Sequence, residues 1–188
     1  MAGWILLAIV VIAFAWLIIV YNGLVSLRNQ VQNAWKQIDV QLKRRHDLIP
    51  NLVSTVKGAM EFEQDTLEKV ISARAKAVTA TGPRDKAASE NMLTQALGKL
   101  FAVMENYPQL KSNQNIMQLQ EELTSTENRI GFARQFYNDM VASYRIKQEV
   151  FPNNLMVNMV GGFGKGEYFE AEQADRAVPQ AELSLRRG

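Results

Sequence analysis

Cysteine is absent from the 188 residues, which excludes disulfides, thiolate metal sites, a cysteine nucleophile and an acylated lipoprotein cysteine. Histidine occurs once, at His46. Any Ser-His-Asp mechanism would have to pass through it, and no nucleophile-elbow sequence accompanies it. A surface or structural role is therefore expected. One histidine also excludes a di-iron bundle site, which takes a Glu-x-x-His pair from each of two helices. An excess of one charge is lacking too: 21 basic and 19 acidic residues leave a net charge of +2, too near balance to suggest nucleic acid as a partner. No segment alternates polar and apolar residues as a half-buried strand does, and no charged side chain occurs between Met1 and Leu27.

That charge-free stretch is the first positive feature. Trp4 to Tyr21 reads WILLAIVVIAFAWLIIVY; as a helix it covers roughly 26 Å, close to a hydrocarbon core. Trp4 and Tyr21 stand where interfacial aromatics belong, while Trp16 lies inside the span. A basic n-region and a small-residue cleavage pattern are both missing, so the segment is expected to stay as a membrane anchor. Arg28, Lys36 and the cluster Lys43, Arg44, Arg45 all follow the span. The positive-inside rule then puts the N-terminus outside and the C-terminal domain in the cytoplasm.

Beyond the span, Leu24, Leu27, Val31, Ala34, Ile38, Leu48 and Leu52 fall on steps of three and four, interrupted by Gln41 and Arg45. Pro50 should kink this helix or start a new segment, because it lacks the N–H and clashes with the preceding turn. Phe62, Leu67, Val70, Ile71 and Val78 continue an apolar stripe until TGPR at 81–84 makes a turn. Leu93, Leu97, Leu100, Met104 and Tyr107 mark a third helix. The fourth, from Ile116 through Leu123, Ile130 and Tyr137 to Tyr144, keeps an uncharged seam and has Ser112 as its expected N-cap.

The predicted fold is all-α: a transmembrane helix over 1–23, then an up-down antiparallel helical bundle over 24–150, with helices at 24–57, 61–80, 84–106 and 112–149. Residues 151–188 form a short irregular tail, apolar and glycine-rich at first and then polar. Its Phe151, Leu155, Met156, Met159, Phe163, Tyr168 and Phe169 amount to more apolar surface than a free tail exposes, and are expected to dock on a partner or the membrane interface rather than complete the core.

Chemistry is sparse. Glu61, Glu63 and Asp65, and Glu121, Glu122 and Glu127, form acidic clusters, but nothing marks an acid-base pair among them. GGFGKGE is not a phosphate loop, since Lys165 is followed by glycine and no strand precedes it. Lys43 to Arg45 would stand more than about 30 Å from the membrane on a continuous helix. Arg45, on the seam, is expected to pair with Glu122 or Glu127 of the fourth helix and to fix register.

Residues 21–53, YNGLVSLRNQVQNAWKQIDVQLKRRHDLIPNLV, together with 107–141 and FPNNLMVNMVGGFGKGEYF, resemble the LemA family of bacterial membrane proteins. The resemblance implies an inner-membrane protein with a short external N-terminus and a large internal helical domain. It implies no catalytic activity. The expected function is a non-enzymatic, membrane-anchored interaction or scaffold module that binds a protein partner or its own copies, without cofactor or small-molecule substrate. An adaptor controlling a membrane protease or envelope-stress system is the alternative. A carboxylate-dependent hydrolase is the third reading and would require turnover dependent on Glu121, Glu122 and Glu127.

Overall fold

The computed structural model of the chain describes residues 1–170; the polar end of the tail lies outside the described residues. The order is α1 (Ala2–Lys57), a 3₁₀ turn (Glu61–Glu63), α2 (Gln64–Thr79), α3 (Gly82–Met104), α4 (Pro108–Lys111), α5 (Gln114–Glu149) and α6 (Asn153–Val160). No strand occurs among the described residues.

Helix α1 is continuous for 56 residues, roughly 84 Å of rise. From Ala2 to Ala15 it is apolar and exposed on every side, a surface that water does not tolerate and a bilayer does. From Val20 onward one stripe turns inward, through Leu24, Ala34, Ile38, Leu42, Ile49, Leu52 and Val56. Pro50 does not break the helix. A proline there leaves the carbonyl of His46, four residues earlier, without its donor. Arg74 of α2 supplies the replacement, its Nε donating to the His46 carbonyl oxygen over 2.7 Å. The helix thus continues through Pro50 with the freed carbonyl served by a neighbouring helix.

Helix α5 runs antiparallel to α1 along most of its length. Ile116 and Leu123 pack near Ile49 to Val56, Ile130 to Val141 near Ala34 to Leu42, and Tyr144 near Val20 and Leu24. Its cap is Asn113 rather than Ser112: the Asn113 Oδ1 accepts from the Asn115 and Ile116 amides at 3.0 and 3.4 Å, which satisfies two donors at the helix start.

Helices α2 and α3 form a second antiparallel pair, turned at Gly82 with φ of 79°. Their contact differs from the expected stripe: Leu67, Val70, Ala73 and Ala77 are buried, whereas Phe62, Ile71 and Val78 are exposed. The small alanines let α2 approach closely, and the larger side chains lie on its outer face. With α1 and α5, this pair closes a four-helix core around Leu52, Met60, Leu93, Leu97 and Leu100.

At 16 and 23 residues, α2 and α3 are too short to cover the full length of α1 and α5. The chain after α5 fills the remainder. Met156 of α6 is buried against Val20, Leu24 and Tyr144, and Phe169 is buried with Ala34, Ile38 and Tyr137. Part of the tail is therefore core.

Truncating a buried phenylalanine removes its transfer energy and leaves a cavity, so Phe169→Ala should destabilise by about 3–5 kcal/mol, while Phe132→Ala, exposed on α5, should stay within about 0.5 kcal/mol. Denaturant unfolding of the detergent-solubilised chain checks this, and equal midpoints would mean that Phe169 contributes nothing. A double-mutant cycle tests the proline contact. Arg74→Ala should cost about 1–3 kcal/mol when Pro50 is present and distinctly less in a Pro50→Ala background, where the new amide can serve the His46 carbonyl.

Candidate functional site

Two regions hold the residues singled out above. The first is a buried polar cluster where α1, α3 and α5 meet. Arg45 is 3% exposed and Glu90, on α3, 1%. The Arg45 Nη1 lies 3.3 Å from Glu90 Oε2 and 2.9 Å from Glu127 Oε2, while its Nη2 donates to Thr94 Oγ1 over 2.8 Å. The Thr94 hydroxyl in turn donates to Glu127 Oε1 at 3.4 Å. The other Glu90 oxygen lies 2.6 Å from His46 Nε2. One carboxylate thus holds two neighbours on α1, and the arginine ties all three helices together.

The structure brings Arg45 and Glu127 together and leaves Glu122 out: Glu122 faces Arg44 at 3.7 Å on the surface. Glu90 is the member that sequence reasoning missed. Its signal was its position, three residues after Ala87 and three before Leu93 on the buried stripe of α3. Arg134 borders the cluster. Burial lowers its pKa below the ordinary arginine value, opposed by the charges of Glu127 and Glu90 and aided by that of Arg45, and its Nη2 donates to Asn91 Oδ1 at 3.3 Å.

Chemically, the cluster is closed. Both Glu90 oxygens are engaged and the Thr94 hydroxyl is held between Arg45 and Glu127. Among the described residues no group of three or more His, Asp and Glu side chains is arranged to hold a metal. What the geometry accomplishes is alignment: sliding any of the three helices would leave a charge buried without a partner.

The second region is the membrane-proximal end. After α6, Gly161 and Gly162 adopt φ of 66° and 75°, left-handed values that glycine takes without strain. The chain then reverses and runs back along α5 in extended form. An extended segment without a strand partner needs donors and acceptors from elsewhere, and α5 side chains provide them. Arg145 Nε donates to the Gly166 carbonyl at 2.8 Å, and the Tyr137 hydroxyl to the Glu167 carbonyl at 2.7 Å. Asn138 accepts from the Phe169 amide at 2.9 Å and donates to its carbonyl at 3.2 Å. Burial, with the charge of Glu167, raises the Tyr137 pKa above 10.0, against the opposing Arg145, which keeps this donor protonated. Gly166 passes so close that a Cβ there would sit 3.3 Å from Val141 Cγ1.

The aromatics of the segment are engaged as well. Phe163 meets Tyr21 edge-on at 5.8 Å, Tyr168 lies under the Arg145 guanidinium at 4.4 Å, and Phe169 under that of Arg134 at 4.4 Å. The expectation that all seven apolar tail residues form a docking surface is corrected accordingly. Met156 and Phe169 are interior, and Phe163 and Tyr168 are held by the bundle. Phe151, Leu155 and Met159 remain exposed, as are Trp4 and Tyr21 at the two ends of the apolar span.

The sequence profile described as the LemA family matches residues 34–182. The chain belongs to the LemA family. It is similar to "Protein LemA" of Metamycoplasma hominis, at 27% identity over 167 residues, covering 86% of this chain and 74% of that protein. It is also similar to "Magnetosome protein MamQ 2" of Paramagnetospirillum magneticum, at 27% identity over 191 residues, covering 87% and 70%.

Removing one partner of a buried ion pair strands the other, so Arg45→Ala should cost about 3–5 kcal/mol. Arg44→Ala, on a half-exposed pair, should cost about 1 kcal/mol or less. Unfolding midpoints of the two variants side by side test the difference, and coincident curves would make Arg45 an ordinary surface residue.

Proposed function

We propose that this LemA-family chain is a non-enzymatic, membrane-anchored interaction module whose bundle stands on the cytoplasmic face and binds a protein partner or further copies of itself. The observation that carries the reading is the continuity of α1. One helix provides both the apolar span and a wall of the bundle core, so the domain is held upright at a fixed distance and angle from the bilayer. That is the mechanical requirement of a scaffold. The buried ionic groups Arg45, Glu90 and His46 support the same reading, because they pair with one another and with Glu127 and hold helices in register.

The flank of the bundle offers contact surface. Val40 of α1 and Phe132 and Phe136 of α5 are exposed side by side in an open groove of about 510 Å³, bordered by Lys36 and Arg129. Orientation follows from charge: Arg28, Lys36, Lys43, Arg44 and Arg45 all lie on the bundle side of the span, and that side faces the cytoplasm by the positive-inside rule.

With no cysteine of its own, the chain accepts single reporters cleanly. Ser26→Cys and Ser112→Cys, both at exposed positions, should resist an impermeant maleimide in intact cells and react after lysis; labelling of Ser112→Cys without lysis would reverse the orientation. Crosslinking in native membranes, followed by mass measurement of the detergent extract, should recover an assembly larger than one chain that Phe132→Asp with Phe136→Asp abolishes. A strictly monomeric, partner-free chain would defeat the scaffold reading.

A further inference from the structure

We infer that α6 and the turn before it form a second membrane contact, lying in the headgroup boundary of the same bilayer that α1 crosses. The inference rests on the reading of Trp4 to Tyr21 as the span. The level of α6 is fixed by its neighbours. Gly23 backs onto Lys147, whose Cε lies 3.8 Å from where a Cβ on Gly23 would be. Because α1 and α5 are antiparallel, three residues further along α5 bring the chain to Val150 at about the height of Val20, a step of roughly 4.5 Å. Val20 belongs to the uninterrupted apolar run. Met156 packs on that same Val20 and on Leu24, with Trp16 and Leu17 beside them, so α6 is attached to the last turns of the span itself.

At that height the chain leaves large apolar side chains uncovered. Phe151 is 74% exposed, Leu155 52% and Met159 80%. Leu155 and Met159 are one turn apart on α6; Met156 follows them directly round the helix, and Asn154 and Asn158 lie on their other flank. The helix thus carries one broad apolar arc, of which the bundle covers Met156 and leaves Leu155 and Met159 open. From Val150 to Gly164 there is no charged side chain, as between Met1 and Leu27. Glu149 and Lys165 flank the stretch and face each other at 3.8 Å, so its edges carry exposed charges suited to the headgroup layer, and Lys147 adds an ammonium that can reach phosphate while its stem stays apolar. An uncharged segment with an exposed apolar face, fixed at the end of a membrane span, fits the acyl–headgroup boundary of that membrane. A second copy or a soluble protein would have to compete with lipid for it.

The test uses the full chain reconstituted in vesicles of phosphatidylcholine and phosphatidylglycerol, with single cysteines carrying a fluorophore and lipids bearing a nitroxide high on the acyl chain. Leu155→Cys and Met159→Cys replace exposed side chains, so the fold is preserved. Both should lose fluorescence to the nitroxide lipid, as should Ile9→Cys in the span, while Ser112→Cys and Phe132→Cys keep theirs. Loss at Ile9→Cys alone would overturn the docking of α6 and leave the span intact. No loss at Ile9→Cys would overturn the span reading instead. Crosslinking between copies through Leu155→Cys, without quenching by lipid, would assign the face to a second chain and overturn the inference.

Discussion

A mismatch of length governs this structure. Helix α5 is 36 residues long and pairs with α1 down to the edge of the membrane span, whereas α2 and α3, at 16 and 23 residues, cover only the distal part. Two helices alone cannot bury their facing stripes. Wherever the α2–α3 pair is absent, some other part of the chain has to exclude water. The tail meets that requirement, with α6 at the lowest level and the extended segment 163–170 between α6 and the α2–α3 turn. The bundle thus changes composition along its axis, from four helices at the far end to two helices and a covering strap near the bilayer.

The buried ionic cluster sits where that change begins. Below it Tyr137 and Phe169, with the partly buried Trp35, join Ile38, Leu42 and Ile130 in the core; above it the core is aliphatic, built from Leu52, Leu93, Leu97 and Leu100. Apolar layers of helices tolerate sliding by a turn, because one leucine resembles the next. A guanidinium held by Glu90, Glu127 and Thr94 does not, since each displaced arrangement leaves a charge without its partner. Lys86 makes a further tie lower down, pairing with Asp39 and lying over the Trp35 ring at 5.3 Å. The number and lengths of the helices come from apolar pattern, and their alignment from a few polar side chains.

Much of this was legible in the sequence because it depends on local rules. The span is readable because lipid demands length and forbids charge, and the α5 seam because its stripe persists for many turns. The α2 stripe was misread in part: Phe62, Ile71 and Val78 are more hydrophobic than Ala73 and Ala77, but close packing favoured the smaller residues. Glu90 stood on the α3 stripe, but a carboxylate there makes sense only once Arg45 and His46 stand opposite. The tail escaped for another reason. An extended segment whose backbone is satisfied by Tyr137, Asn138 and Arg145 has no period to detect, and glycines such as Gly166 look like looseness when they mark close approach.

Pro50 carries a consequence beyond its own turn. A helix normally closes its own backbone bonds, so its integrity depends on its own residues. Here one carbonyl of α1 is served by Arg74 from another helix, which makes a position in α2 answerable for a backbone bond of α1. The two sites are coupled physically: replacing Pro50 would remove the demand on position 74, whereas the proline requires there a donor long enough to reach the His46 carbonyl. Because α1 also carries the apolar span, that single borrowed bond lies on the helix that links the span to the far end of the bundle.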